Sequence, residues 1–314
     1  MDKTNIFAFA TKELSQDAFL CWLLENFDSD FPDVQEASLL LIKHLLNMPL
    51  NAPLIIDHLV TKKQAYKIDI ICELTVNQVK HVIAIEDKTE SFEHHEQLGK
   101  YNIYLDKYYP YHKQHRIFYK TAPMTQKETE WIESKGWSVF ELRKIRKIFK
   151  INPDHYLLKS YIEHLDHLCE SYYGALPIDI KNWTIKQWSN YASKLNIKLP
   201  EGIESFGNNP ENRYYALSFN FKGLWDVYPY IGLLSRDIAN KKFRMKIFTY
   251  GMNDQYVQAH IDEWKNKLSS SHLFKVQNHE KQIGCSKELI TIDTVEDLEK
   301  VMVEYIHEYF RIIQ

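Results

Sequence analysis

Apolar positions near the start of the chain recur with helical spacing. Leu14, Ala18, Cys21, Trp22 and Leu24 predict an amphipathic helix over 11–27. A second follows over 34–47 (VQEASLLLIKHLLN) and is broken by Pro49 and Pro53. The period then changes. Runs at 54–60 (LIIDHLV), 66–76 (YKIDIICELTV) and 79–87 (VKHVIAIED) are rich in β-branched residues and predict three successive strands. Asn77 and Gln78 suit a tight hairpin turn, although the favoured Gly is lacking. Residues 91–109 predict a helix ending before Pro110, 115–121 a strand, and 125–136 a helix closed by Gly136. A short strand at 137–142 leads into a basic helix over 141–150, so the order over 11–150 is α-α-β-β-β-α-β-α-β-α.

The remainder reads as a second, α+β domain, with the division placed at residue 150 (domains 1–150 and 151–314). Helices are predicted at 154–174 and 184–195, a loop at 200–210 (PEGIESFGNNP), and alternating strands at 214–221, 227–234 and 243–249. A helix at 253–268, short strands within 273–292 and a final helix at 294–312 complete it. Thr294 to Asp297 opens that last helix like a capping box. Trp183, Trp188, Trp225 and Trp264 suit the core of this half better than a base-stacking role.

The hairpin around Asn77 is the chemically informative place. With a two-residue loop, Val76 faces Val79 and paired residue numbers sum to 155, which sets Asp69 opposite Glu86. Directly opposed side chains share a face with Cβ atoms about 4.5–5.5 Å apart. Lys88, two residues on, shares that face. Facing carboxylates repel, and a hard divalent cation relieves the repulsion; Mg²⁺ takes one or two carboxylates plus waters and phosphate oxygens. A neighbouring ammonium steadies charge developing on the phosphate. Asp, Glu and Lys in this register suit metal-dependent phosphodiester hydrolysis. The bland alternative makes Glu86, Asp87 and Lys88 solvated residues beyond the strand's end, yet the flanking runs are apolar on both faces, as in a sheet covered on each side.

Composition narrows the field. Lys and Arg number 39 against 42 Asp and Glu, a net charge of -3, which argues against a general polyanion binder and leaves room for a local basic groove. Candidate patches are Lys107, Lys113 and Arg116 beside Tyr108, Tyr109 and Tyr111, and Arg143, Lys144, Arg146, Lys147 and Lys150; a solvated face explains them about as well. No run of eighteen apolar residues suggests a membrane span, and acidic residues come too early for a secretory signal. Four scattered cysteines without a CxxC pair predict reduced thiols and a cytoplasmic location.

Four stretches together resemble the PD-(D/E)XK nuclease superfamily, and more narrowly its bacterial members with an N-terminal E-x-x-x-S-x-x-L-x-W-L-L helix. They are Glu13 to Leu24 (ELSQDAFLCWLL), KIDI with Asp69, AIEDK with Glu86 and Lys88, and EQLGKY with Gln97 and Tyr101. The resemblance covers about the first 150 residues, and it departs at Asp17, where a small residue is expected. It implies a restriction-endonuclease-like core, a central mixed sheet flanked by helices. It further implies a Mg²⁺-dependent endonuclease, with Mn²⁺ able to substitute, acting on DNA rather than RNA in phage or mobile-element defence. Asp69 and Glu86 would ligate the metal with the Asp87 backbone carbonyl, and Lys88 would orient the attacking water. Glu13 would complete the acidic cluster directly or through water, and Gln97 would touch the site or the substrate backbone.

Taken by itself, Glu13 also suits an exposed first-turn position favoured by the helix dipole. Gln97, Tyr101, Tyr104 and Tyr108 share one helical stripe that suits core packing somewhat better than substrate contact. His94 and His95, with no histidine at i+4 and no cysteine partner, suit a surface helix face better than a metal site. An RNA-directed nuclease, and a catalytically inactive nucleic-acid-binding or assembly protein on the same scaffold, remain as alternatives. Target recognition, partner binding and homodimer formation are all open to the second half.

Overall fold

A computed structural model of the chain describes residues 5–9, 13–89, 96–124, 126–176, 179–199, 202–207, 216–221, 230–234, 242–249, 255–279 and 282–313. The expected helix at 11–27 is α1 (Glu13–Glu25), and the next is α2 (Pro32–Leu45), with Pro32 at its first turn, where the missing N–H is harmless. The three β-branched runs become β1 (Ile56–Ala65), β2 (Ile68–Val76) and β3 (Val79–Lys88). Two-residue turns join them: Tyr66-Lys67 and Asn77-Gln78, all four residues at positive φ. That backbone suits the right-handed twist of a hairpin. Asn77 is held there without glycine because its amide nitrogen donates to the Ile55 carbonyl at 2.9 Å and its side-chain oxygen accepts from the Ile55 amide at 3.1 Å.

After α3 (Gln97–Tyr108) come β4 (Lys113–Lys120), α4 (Gln126–Ser134), β5 (Ser138–Glu141) and α5 (Leu142–Ile148). Gly136, at φ 79°, ends the turn after α4 as expected. The result is a mixed α/β unit with an open five-stranded sheet, ordered β1-β2-β3-β4-β5. Strands β1 to β3 run antiparallel, and β3, β4 and β5 run parallel. On β3, Val82 and Ala84 join Leu98, Tyr101 and Leu105 of α3 in one apolar cluster. Because side chains alternate, Ile83, Ile85 and Asp87 point the other way, and Gln16 of α1 meets Asp87 there. Both faces of β3 are therefore covered, and its residues from His81 to Lys88 are buried.

The chain divides at Glu170/Ser171, not at residue 150 as the pattern suggested. The division falls within α6 (Tyr156–Tyr173), and most of that helix belongs to the first unit. Side chains decide this. Asn5 donates to the Ser160 carbonyl at 2.9 Å, the Tyr119 and Tyr161 hydroxyls lie 3.0 Å apart, and Arg146 pairs with Asp166.

The second unit holds α7 (Ile185–Lys198), β6 (Ile203–Gly207), β7 (Ala216–Phe221), β8 (Tyr230–Leu234), β9 (Lys242–Phe243), β10 (Lys246–Phe248), α8 (Gln255–Ser269), β11 (Phe274–His279), β12 (Gln282–Ser286), β13 (Ile290–Thr291) and α9 (Val295–Ile313). Six strands form an antiparallel sheet ordered β11-β12-β10-β8-β7-β6, and β9 pairs with β13. The expected loop at 200–210 is overturned between Ile203 and Gly207. This stretch is an edge strand on β7, and its five residues are short enough for the flanking Pro and Asn to dominate the local pattern. Trp183, Trp188 and Trp264 are core residues, as expected, and Trp225 lies outside the described residues. Thr294 and Asp297 exchange the two reciprocal capping bonds at 3.1 and 3.2 Å.

Candidate active site

The β2–β3 ladder pairs Val76 with Val79 and runs to Ile70 opposite Ile85, each pair summing to 155. The next step along it brings Asp69 to Glu86. Asp69 Oδ2 accepts the Asp87 amide hydrogen at 2.9 Å, and its other oxygen faces Gln64 Nε2 at 3.4 Å. Lys88 turns its ammonium onto the Glu86 carboxylate, donates to the Asp87 carbonyl at 3.2 Å and lies 4.0 Å from Asp69 Oδ2. These are buried groups, not solvated turn residues: the side chain of Glu86 is 0% exposed, that of Lys88 8%, and that of Asp69, the outermost, 17%.

Glu13, in the first turn of α1, accepts from the Thr89 amide at 3.2 Å, just past the end of β3. It thus stands beside the site. The side chain of Asp87 points to the opposite face of the sheet, where Gln16 donates to one of its oxygens and Asp17 adjoins it. Asp17, where a small residue was expected, therefore enters a second, buried carboxyl pair with Asp87. Gln97 does not reach the carboxylates. It donates to the Tyr101 hydroxyl, which in turn donates to the Lys67 carbonyl in the β1–β2 turn.

Electrostatics set this corner apart. Glu13, Asp17, Asp69 and Glu86 gather around the Lys88 ammonium, and Asp87 lies beside Asp17. Burial, then the charge of Asp69, lifts Glu86 to about 8. The same two causes lift Asp17 to about 7. Burial with Asp17 alongside holds Asp87 well above the usual carboxylate range, and burial raises Asp69. Burial pulls Lys88 down, but Glu86 and Asp69 outweigh it, so the ammonium is held charged. Among the described residues no hydrogen-bond donor reaches Glu86 Oε2, Asp87 Oδ2 or either oxygen of Asp17. Buried acceptors without donors are costly, at about 1–3 kcal/mol each or more when charged, and invite a proton or a cation.

Among the described residues no group of three or more His, Cys, Asp and Glu side chains is arranged to hold a metal ion. What the site does offer is two carboxylates, Asp69 and Glu86, with the Asp87 carbonyl between them. Oxygen donors of this kind fit Mg²⁺ or Mn²⁺ completed by water and phosphate oxygens. The orphaned Glu86 Oε2 is consistent with that fit.

Two features escaped the sequence. Lys120, 4% exposed, pairs with Lys88 across β3 and β4 and holds Glu128 of α4 at 3.3 Å. An apolar strand closing on a lysine, IFYK parallel to IEDK, was the available signal. Gln16 carried none. Of the basic patches, Arg116 is engaged by Asp106, Arg146 by Asp166, and Lys144 by the Val139 carbonyl; Lys107, Lys113, Lys147 and Lys150 remain exposed. His94 and His95 lie outside the described residues.

In comparisons with known proteins no family model matches the chain, and no curated protein and no solved structure matches it. All four cysteines are free thiols, and among the described residues no helix is long and apolar enough to cross a membrane.

Proposed function

We propose that the first unit is a metal-dependent nuclease with a restriction-endonuclease-like core, hydrolysing phosphodiester bonds in DNA. The carrying observation is the buried Lys88 ammonium lodged against Glu86 and 4.0 Å from Asp69, at the end of a strand whose other buried side chains are mostly apolar. Burying three ionisable groups together is expensive even when they pair, and active sites are where such clusters concentrate.

In this reading Asp69 and Glu86, with the Asp87 carbonyl, would hold a divalent ion, which would polarise the scissile phosphate. The ammonium of Lys88 leaves Glu86 and turns toward the phosphate, where it orients the attacking water and offsets negative charge developing on the non-bridging oxygens. Asp69, the most open of the three, faces the entering substrate. Glu13 fixes the chain just after Lys88 through the Thr89 amide. Gln97 acts at one remove, holding Tyr101 against the β1–β2 turn.

Supercoiled plasmid incubated with Mg²⁺ or Mn²⁺ tests this. Nicking or linearisation that disappears with EDTA supports it, and duplex, single-stranded and RNA substrates compared side by side separate a DNA enzyme from an RNA-directed one. A folded protein that cuts none of them contradicts it.

A further inference from the structure

One aromatic cluster is left over from packing. Tyr66, in the two-residue turn between β1 and β2, stacks on Tyr104 of α3 with ring centroids 3.9 Å apart, and Tyr104 stacks on Tyr108 at 4.4 Å. The planes of Tyr66 and Tyr108 are within 11° of each other at 5.7 Å. Tyr66 is 59% and Tyr108 51% exposed, so two nearly parallel rings present faces or edges to solvent. Core filling does not explain that exposure.

The turn itself is unusual for its sequence. Tyr66 sits at φ 60°, a left-handed conformation that costs a bulky residue about 1–2 kcal/mol and that Asn or Gly would adopt more readily. The strained turn aims the ring at α3. It also adjoins the site: the Lys67 carbonyl receives the Tyr101 hydroxyl, Asp69 is two residues further on, and Tyr108 lies two helical turns, about 10 Å, beyond Tyr101. Lysines lie near the rings along the chain. Lys67, Lys100 and Lys107 are exposed, and the Lys107 ammonium lies 4.9 Å from the Tyr108 ring centroid.

We propose that Tyr66, Tyr104 and Tyr108 form a stacking platform for an unpaired base of single-stranded DNA, with Lys107 on the adjoining phosphate. Pre-aligned aromatic faces beside lysines are the recognition chemistry of single strands, whereas a duplex hides its base faces in its own stack. The assignment of this strand as the substrate of the Asp69–Glu86 site rests on the nuclease reading; the stacking contact does not.

Wild-type protein in EDTA, where nothing is cut, is titrated into fluorescein-labelled dT15 and into an abasic deoxyribose-phosphate chain of the same length. Tighter binding of dT15 is expected. Tyr66→Ala and Tyr108→Ala should each weaken dT15 by about 5- to 150-fold and leave the abasic chain unchanged, the range set by one base–aromatic stack. Tyr66→Phe and Tyr108→Phe, which keep the ring, should bind as the wild type does. Equal affinity for the two probes, no binding of either, or alanine variants that hold dT15 normally would overturn the platform. Cleavage is scored separately with Mg²⁺: dT15 binding without cutting of any substrate refutes the nuclease reading alone, and cutting with unaltered dT15 binding in the alanine variants refutes the platform alone.

Discussion

Asp69 Oδ2 accepts the Asp87 amide hydrogen at 2.9 Å while the Lys88 ammonium stands 4.0 Å from the same oxygen. One carboxylate thus fixes the end of β3 and faces its cation. Structure and chemistry can be separated here by substitution. In Asp69→Asn the amide oxygen still accepts from Asp87, so the fold should persist, with a thermal midpoint within a few degrees of wild type, while affinity for Mn²⁺ drops. Calorimetry and a melting curve on one preparation check both halves.

Divalent binding should carry a proton signature. Glu86 sits at about 8 without metal, so near neutral pH an entering cation displaces a proton from the pocket. Mn²⁺ affinity should rise about tenfold per pH unit up to about 8 and then level off. Calorimetry in buffers of different ionisation enthalpy reads the released proton directly. Glu86→Gln should abolish both the binding and the release.

Asp17 makes the opposite face of β3 sensitive to pH. Its folded value is about 7 against 3.8 for the ordinary group. Between those values Asp17 binds more protons in the native state than in the unfolded chain, so its contribution to stability falls as pH rises from about 4 to about 7 and is level above. Asp17→Asn, neutral at every pH, should lose that share of the slope in metal-free melts, while Glu86, Asp69 and Asp87, which burial also raises, keep the rest. Identical slopes for the two proteins would mean the Asp17–Asp87 pair is not buried as described.

Glu308 in the second unit predicts the reverse. Hydrogen bonding by Arg311, helped by the Ser271 hydroxyl at 2.6 Å, holds it at about 2 against an ordinary 4.5. Stability from this group is complete above about 4.5 and is lost as pH falls toward 2. Glu308→Gln should flatten that acid limb and leave the neutral-pH slope attributed to Asp17 unchanged.

The register of Asp69, Glu86 and Lys88 was legible because a hairpin is local. Once Asn77-Gln78 is the turn, period-two alternation settles which residues share a face. The Asp17–Asp87 pair was not legible, since alternation says only that Asp87 leaves the Glu86 face, and which helix covers that side is a tertiary matter. The Tyr66–Tyr104 contact was hidden for the same reason: a two-residue turn at positive φ written Tyr-Lys carries no Gly or Asn signal. The division at residue 170 depended on side chains of α6 such as Tyr161 and Asp166, whose partners lie far back in the chain. Ile203 to Gly207 was lost between punctuating residues that outweigh so short a strand.

Cleavage of supercoiled plasmid with Mg²⁺ by the wild type, Lys88→Ala and Asp69→Asn decides whether Asp69, Glu86 and Lys88 form a nuclease centre. Metal-dependent cutting by the wild type is expected, with a loss of about 10²–10⁴-fold in Lys88→Ala and comparably in Asp69→Asn, all three proteins remaining folded. Wild-type protein that cuts no nucleic acid with Mg²⁺ or Mn²⁺, or variants that cut at the wild-type rate, would contradict it.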